Sequence, residues 1–391
     1  MEALLAERMS RLGTEAAFEV LARARELEAA GRQVIHLQIG EPDFDTPQNI
    51  KDAAVRALAN GYTHYTPAAG IPELRQAIAD YVFKYKGVPA KADEVVVVPG
   101  CKPIMFYTIL ALVNPGDEVL YPNPGFPIYE SMINFVGGKA IPTPLLQENE
   151  FRLDIDDLAN KITDRTKLLI INSPGNPSCG VLTRDDLTRI ADLVRGKDIM
   201  ILSDEVYDRI IYEGEACSIA SLPGMKDQTI ILDGFSKTYA MTGWRLGYGV
   251  MPEWLAPRVS RLMTNSNSCT AAFTQMAGLE ALTGPQDAVD VMVAEFKKRR
   301  DIIVDGLNQI PGFSCLKPQG AFYAFPDVRG TGIDSKELAD LLLAEAGVAV
   351  LSGESFGAYG AGHLRFSYAN SVENIQLALE RIDQVVRRLR K

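Results

Sequence analysis

From about residue 93 to residue 235 the chain alternates short apolar runs with longer amphipathic stretches, and this alternation constrains the fold more than any other feature. The runs "EVVVVPG" (94–100), "DEVLYP" (117–122), "TKLLIINSP" (166–174), "IMILSDE" (199–205) and "TIILDGF" (229–235) read as strands. Between them "KPIMFYTILALV" (102–113), "FPIYESMINFVGG" (126–138) and "TRDDLTRIADLVRG" (183–196) read as helices, the last with Thr183 as N-cap. Fully apolar strands separated by helices predict an α/β fold: a mostly parallel central sheet covered by helices on both faces. In such sheets ligands bind beyond the carboxyl ends of the strands.

After about residue 285 the texture changes. A long helix, "QDAVDVMVAEFKKRRDIIVDGLNQI", precedes strand-like "GAFYAFPDV" (320–328), a helix "SKELADLLLAEAG" (335–347), "VAVLSG" (348–353), "HLRFSYAN" (363–370) and a final helix. This predicts a smaller α+β domain. The expected division is a large domain over 48–284, and a small one formed by 1–47 with 285–391.

Composition excludes several function classes. The net charge of −10 opposes general binding to nucleic acid or an anionic membrane. Five cysteines, none in a C-x-x-C pair, and three histidines argue against a disulfide framework or a metal site, and for a reducing cytoplasm. "MEALLAERMSRLG" lacks the apolar core of a signal peptide, and no run approaches the ~20 apolar residues of a membrane span.

The unusual polar segments all follow predicted strands. "PGCKPIM" (99–105) places Gly100, Cys101 and Lys102 at a strand-to-helix turn, where free N–H groups favour an anion; a plain tight turn has the same pattern. "NSPGNPSCG" (172–180) carries two X-Pro bonds around Asn176, either as a turn or to hold that side chain rigidly, with cis bonds open at Pro174 and Pro177. "SDEVYD" (203–208) offers Asp204, Glu205 and Tyr207 as metal ligands, helix caps or a counter-charge for a cationic ring nitrogen. "GFSKTYAMTGWRLGYGV" (234–250) supplies Ser236 and Arg245 for a phosphate and Lys237 for a Schiff base. Taken together, these strand ends describe a pocket for pyridoxal 5′-phosphate.

The same segments resemble the fold-type I, class I/II pyridoxal-phosphate aminotransferases, near the bacterial aspartate aminotransferase branch. "IGEPDFDTP" (39–47), "YTPAAGIPELRQAIA" (65–79), "NSPGNPS" (172–178), "SDEVY" (203–207), "FSKTYAMTGWRLGY" (235–248) and "HLRFSYA" (363–369) follow the family pattern in order over nearly the whole chain. The resemblance implies that Lys237 holds the cofactor and then shuttles a proton, its amine kept neutral by nearby cations. It implies that Asp204 pairs with the ring nitrogen, that Asn176 and Tyr207 hold the ring oxygen, and that Phe126 stacks on the ring. Gly100, Cys101, Lys102, Ser236 and Arg245 fall around the phosphate. Tyr65 resembles the tyrosine that reaches the neighbouring subunit's phosphate, which implies a homodimer with shared sites. Arg365 resembles the fork for the substrate α-carboxylate and Gly40 a backbone contact to it. Phe126 and Asn176 also border the substrate, and Lys102 matches a lysine that reaches a distal carboxylate. Cys179 departs from the family's glycine in that loop, and Phe126 from the tryptophan common in the aspartate branch.

The implied reaction moves an amino group between an amino acid and a 2-oxo acid, aspartate or glutamate with 2-oxoglutarate. The alternatives are prephenate, aromatic or broad-specificity transamination, a pyridoxal-phosphate lyase, and a non-catalytic regulatory domain. The last is disfavoured because the chain retains Lys237 and has no basic stretch.

Overall fold

The computed structural model describes residues 4–389, so the first three residues of the expected 1–47 segment and the last two of 285–391 lie outside the described residues. Its strands in chain order are β1 (Ile35–His36), β2 (Val95–Val98), β3 (Glu118–Asn123), β4 (Lys139–Pro144), β5 (Thr166–Asn172), β6 (Met200–Asp204), β7 (Thr229–Gly234), β8 (Gly247–Val250), β9 (Tyr323–Ala324), β10 (Val348–Ala349), β11 (Leu351–Ser352) and β12 (Leu364–Ser367). Seven of them form one sheet in the order β2-β8-β7-β6-β5-β3-β4, with β8 antiparallel to both neighbours and the other pairs parallel.

Both faces of this sheet are covered, which is why its strands read as unbroken apolar runs. Val96, Val98, Leu168, Ile170, Leu202 and Ile230 pack with Ile104, Ile133 and Val259, from the helices Lys102–Leu112, Ile128–Phe135 and Ala256–Ser266. On the other face Val95, Val97 and Ile231 meet the helices Pro72–Lys86 and Ala272–Thr283, while Leu169 and Ile201 meet Arg184–Val194. Fully burying each such side chain stabilises the fold by roughly 1.5–3 kcal/mol. Thr183 caps the helix Arg184–Val194 as expected: its hydroxyl accepts from the Asp186 N–H at 3.1 Å, and Asp186 accepts from the Thr183 N–H at 2.9 Å.

Two strands of this sheet, and the two-residue β1 outside it, were absent from the sequence reading. β4 contains Pro142 and Pro144, which a ladder tolerates because β4 is an edge strand. β8 is the short return "GYGV", in which glycines replace the branched residues that mark a strand.

In the smaller layer β1 pairs in parallel with β10, joining the N-terminal segment to the C-terminal region, and β11-β12-β9 form an antiparallel sheet. The helices Asp287–Leu307 and Val372–Leu389 pack there around Phe296, Phe322, Phe366 and Ile382. The strand expected over 320–328 shrinks to Tyr323–Ala324, because Ala321 adopts φ 55° and Pro326 offers no N–H to the ladder. The helix expected over 335–347 is α-helical over Ser335–Leu341 and widens to a π-turn over Leu342–Ala346.

Candidate active site

The carboxyl ends of the parallel strands open onto a cavity of about 770 Å³, closed on its other side by β12 and by the segment from Glu15 to Arg25. Gly40, Cys101, Lys102, Phe126, Asn176, Asp204, Tyr207, Ser236, Lys237, Arg245 and Arg365, all selected from sequence, line it.

Lys237 sits in the short helix after β7, half-buried in the cavity wall, its ammonium donating to the Gly40 carbonyl. Burial pushes its pKa down to about 8, and Arg365 and Arg245 add smaller pushes in the same direction against Cys101 and Glu41. Neighbouring cations thus favour the neutral amine as expected, with desolvation the larger cause. The end of β6 supplies Asp204. Burial raises its carboxyl to about 6, opposed by the Tyr129 hydroxyl, which donates to it at 2.5 Å, and by the Val206 N–H. A buried carboxylate so placed is stabilised by a cation.

The Tyr207 hydroxyl shares a 2.7 Å hydrogen bond with that of Tyr323. Asn176 follows β5 in a loop with cis bonds before both Pro174 and Pro177, and its N–H donates to Asn172 Oδ1 at 2.8 Å. Asn176 Oδ1 in turn accepts from Arg365 Nη1 at 3.0 Å. Cys179 takes φ 59°, the left-handed bend that a glycine adopts freely, and its thiol donates to the Tyr323 carbonyl at 3.2 Å. The side chain therefore changes what the loop packs against while its bend stays glycine-like.

Arg365, on β12, is buried across the cavity. Nη2 donates to the Gln38 carbonyl at 2.5 Å, and the guanidinium lies 4.5 Å from the Tyr323 ring centroid. Its Nε–H has no hydrogen-bond partner. An unpaired guanidinium donor in a buried site suits a carboxylate.

Arg245, at φ 53°, donates from Nη1 to the Thr242 carbonyl at 2.8 Å and has no carboxylate partner among the described residues. Its guanidinium rests on Gly100: a Cβ built there would stand 2.0 Å from Nη2, and Gly100 has φ +81°. Gly100 itself does not line the cavity; it lets Arg245 and the start of the helix Lys102–Leu112 approach each other. Ser236 and the N-terminus of that helix complete an anion-binding corner.

Two of the selected residues stand apart from the rest. Tyr65 is 90% exposed and lies away from this cavity. Lys102 is ion-paired with Glu15 and lies 5.2 Å from the Phe126 ring centroid. Glu15 is the N-cap residue of the helix Ala16–Ala29, yet its side chain makes no capping bond and is spent on Lys102.

Sequence reasoning missed Tyr129, Tyr323, Asn172 and Glu15. Tyr129 had a usable signal: it lies three residues after Phe126 in a predicted helix, and the two rings are 5.6 Å apart. Asn172 lies four residues before Asn176 and opens the segment already singled out, whereas Tyr323 and Glu15 are joined to the site only by long-range packing.

These groups suit a phosphorylated, cationic aldehyde cofactor. Arg245, Ser236 and a helix N-terminus would meet its phosphate, Asp204 would face its ring cation, and Lys237 offers an amine of lowered pKa.

Comparison with known proteins agrees. The family described as Aminotransferase class I and II matches residues 32–382. An aspartate aminotransferase of Pyrococcus abyssi is 43% identical, covering 93% of this chain and 94% of its own length. Aromatic-amino-acid aminotransferase 2 of Thermococcus litoralis is 42% identical, covering 90% and 92%. The structure of an aspartate aminotransferase from Thermus thermophilus with maleate superposes with a TM-score of 0.93 at 38% identity, covering 97% of this chain and 99% of that one. The chain therefore belongs to the class I and II aminotransferases, enzymes that use pyridoxal 5′-phosphate to move amino groups between amino acids and 2-oxo acids.

Proposed function

We propose that this enzyme transfers the amino group of aspartate or glutamate, with 2-oxoglutarate as acceptor. The observation that carries the reading is the presence of a buried guanidinium with a free donor, Arg365, and a half-buried amine of lowered pKa, Lys237, in one cavity. Bound there, the cofactor supplies a covalent anchor for the amino-acid nitrogen and a sink for the electron pair left at Cα.

The chain's own groups do the rest. Arg365 takes the α-carboxylate and so orients the Cα–H bond. Lys237, neutral in a useful fraction near pH 8, would take that proton from Cα and deliver it to the cofactor's own carbon on the far side of the amino nitrogen. Asp204 keeps a negative charge against the ring nitrogen, and Tyr129 holds Asp204 in place. Asn176 and Tyr207 would bind the ring oxygen, Phe126 would wall the ring, Gly40 holds the amine through its carbonyl, and Ser236, Arg245 and the helix start at Cys101–Lys102 would bind the phosphate, with Gly100 leaving room for Arg245.

The exposed Tyr65 supports a homodimer in which that residue serves the partner's phosphate. Five free cysteines support a cytoplasmic setting, and no described helix is long and apolar enough to cross a membrane. The pairing of β1 with β10 supports a small domain built from 1–47 and 285–391 beside a large one over 48–284.

One observation favours a second reading, aromatic or broad specificity. Lys102, the cation for a distal carboxylate, is already paired with Glu15 and stacked near Phe126. Relatives named for aspartate and for aromatic amino acids are also almost equally similar, at 43% and 42%. Measuring kcat/KM for aspartate, glutamate, phenylalanine and tyrosine against 2-oxoglutarate decides between the readings. The first expects the acidic donors to lead; an aromatic lead of tenfold or so rejects it.

A further inference from the structure

Lys86, the last residue of the helix Pro72–Lys86, is buried, its side chain only 2% exposed. Its ammonium lies 2.9 Å from Glu205 Oε2 and 3.0 Å from Asp233 Oδ2, and it is also paired with Asp208. None of these four residues lines the catalytic cavity, but each carboxylate is the sequence neighbour of something that does. Glu205 follows Asp204, Asp208 follows Tyr207, and Asp233 precedes Gly234 at the turn into Lys237. Along the strand-end turn after β6, the cavity side thus carries Asp204 and Tyr207, while Glu205 and Asp208 are held by Lys86.

The carboxylates are anchored further. Glu205 Oε1 accepts from Ser203 Oγ at 2.8 Å and Ser218 Oγ at 2.7 Å. Asp233 accepts from the Gly234 N–H at 2.6 Å and the Tyr248 hydroxyl at 2.9 Å. The void beside Lys86 is about 10 Å³, which leaves no room for a ligand. A binding role is therefore excluded for this cluster. One buried cation shared by three carboxylates is an expensive way to pack a core, since apolar residues would fill the same space at lower cost. What such a cluster supplies is direction, because charge-assisted hydrogen bonds fix the angles of the turns that bear them.

We propose that Lys86 is a positioning residue for transamination: through Glu205, Asp208 and Asp233 it sets the turn bearing Asp204 and Tyr207 against the turn bearing Lys237. The inference rests on the reading of those three residues as the reacting groups. The other ionisable groups facing the cluster are Tyr81, on the helix of Lys86 itself, Tyr239 and Tyr248 beside Asp233, and Arg209 next to Asp208.

The test uses the holoenzymes of Lys86→Met, Lys86→Arg and Glu205→Gln, with Lys237→Ala as control. Three quantities are read: kcat and KM for the preferred donor, the pH midpoint of the cofactor's absorbance without substrate, and Tm. Positioning predicts that Lys86→Met lowers kcat roughly 10- to 100-fold with KM little changed, because small misplacements act on the reacting geometry. It also predicts a displaced absorbance midpoint and, in Lys86→Arg, recovery of most of kcat. If Lys86→Met does not fold, Glu205→Gln answers the question, since it removes one grip and one excess charge; there kcat falls several-fold, again with a displaced midpoint. Wild-type kcat and midpoint with only Tm lowered, in Lys86→Met or in its substitute, overturns the proposal. A Lys237→Ala protein that keeps the covalent absorbance band overturns the site reading, and the inference with it.

Discussion

The fold encloses two lysines and treats them in opposite ways. Lys86 is buried and Lys237 half-buried in the cavity wall, and loss of water lowers the pKa of either amine. Around Lys86, Asp208, Asp233 and Glu205 reverse that effect and hold its pKa well above the usual lysine value. Around Lys237 no carboxylate comes within ion-pair distance among the described residues; its hydrogen bond goes to the Gly40 carbonyl and its pKa falls to about 8. The same side chain is therefore a fixed cation at one place and a usable base at the other. Counter-charge, not burial, makes the difference.

The largest expected break in this contrast comes from removing the base. Lys237→Ala should bind the cofactor without a covalent link and lose transamination by at least ~10²–10⁴-fold, since proton transfer alone is worth that much. Steady-state kinetics with the preferred donor check it, and activity within tenfold of wild type would refute the assignment.

Next in size is the loss of the cation. Lys86→Met strands three buried carboxylates and should destabilise the protein by about 3–5 kcal/mol, read as a lower denaturation midpoint in urea. Lys237→Met should leave stability nearly unchanged or raise it, because it replaces an amine held below its ordinary pKa. Equal destabilisation by the two substitutions would erase the distinction between the lysines.

The pH dependence sharpens the contrast. The amine of Lys237 attacks the cofactor only when neutral, so the rate at which apoenzyme captures pyridoxal phosphate should rise with pH and level off above about 8. An ordinary lysine would continue to gain up to ~10.4. A midpoint near the ordinary value would show that the site does not lower this pKa.

How far the sequence revealed this architecture depends on the range of the interaction. Strands β2, β3, β5, β6 and β7 were legible because two-sided burial makes them continuous apolar runs. β4 and β8 were not, since proline and glycine hide strands whose position in the sheet, at the edge or in close contact, permits those residues. Lys237, Asp204, Tyr207 and Asn176 stood out because each lies at or within four residues of a strand's carboxyl end, where the fold places ligands. Their roles came from resemblance to a family. Tyr129 and Glu15 stayed hidden because each meets its partner across a long stretch of chain, 75 residues to Asp204 and 87 to Lys102. The cluster around Lys86 was hidden for the same reason, with 119 residues between Lys86 and Glu205.

The smallest expected effect concerns a third lysine, intermediate between the other two. Lys102 is paired with a single carboxylate, and its side chain is 49% exposed against 20% for Glu15. Partly exposed pairs are worth roughly 0.2–1 kcal/mol, so Glu15→Gln should raise kcat/KM for aspartate and glutamate by about 1.5- to 5-fold and leave phenylalanine unchanged. Equal changes for both donor classes would show that Lys102 does not meet the substrate side chain.

The most direct measurement of the central claim is chemical. Holoenzyme reduced with borohydride and digested should yield the phosphopyridoxyl group on Lys237 alone, because it is the amine of the cavity left without a counter-charge. The label on Lys102, Lys86 or any other lysine would contradict the account.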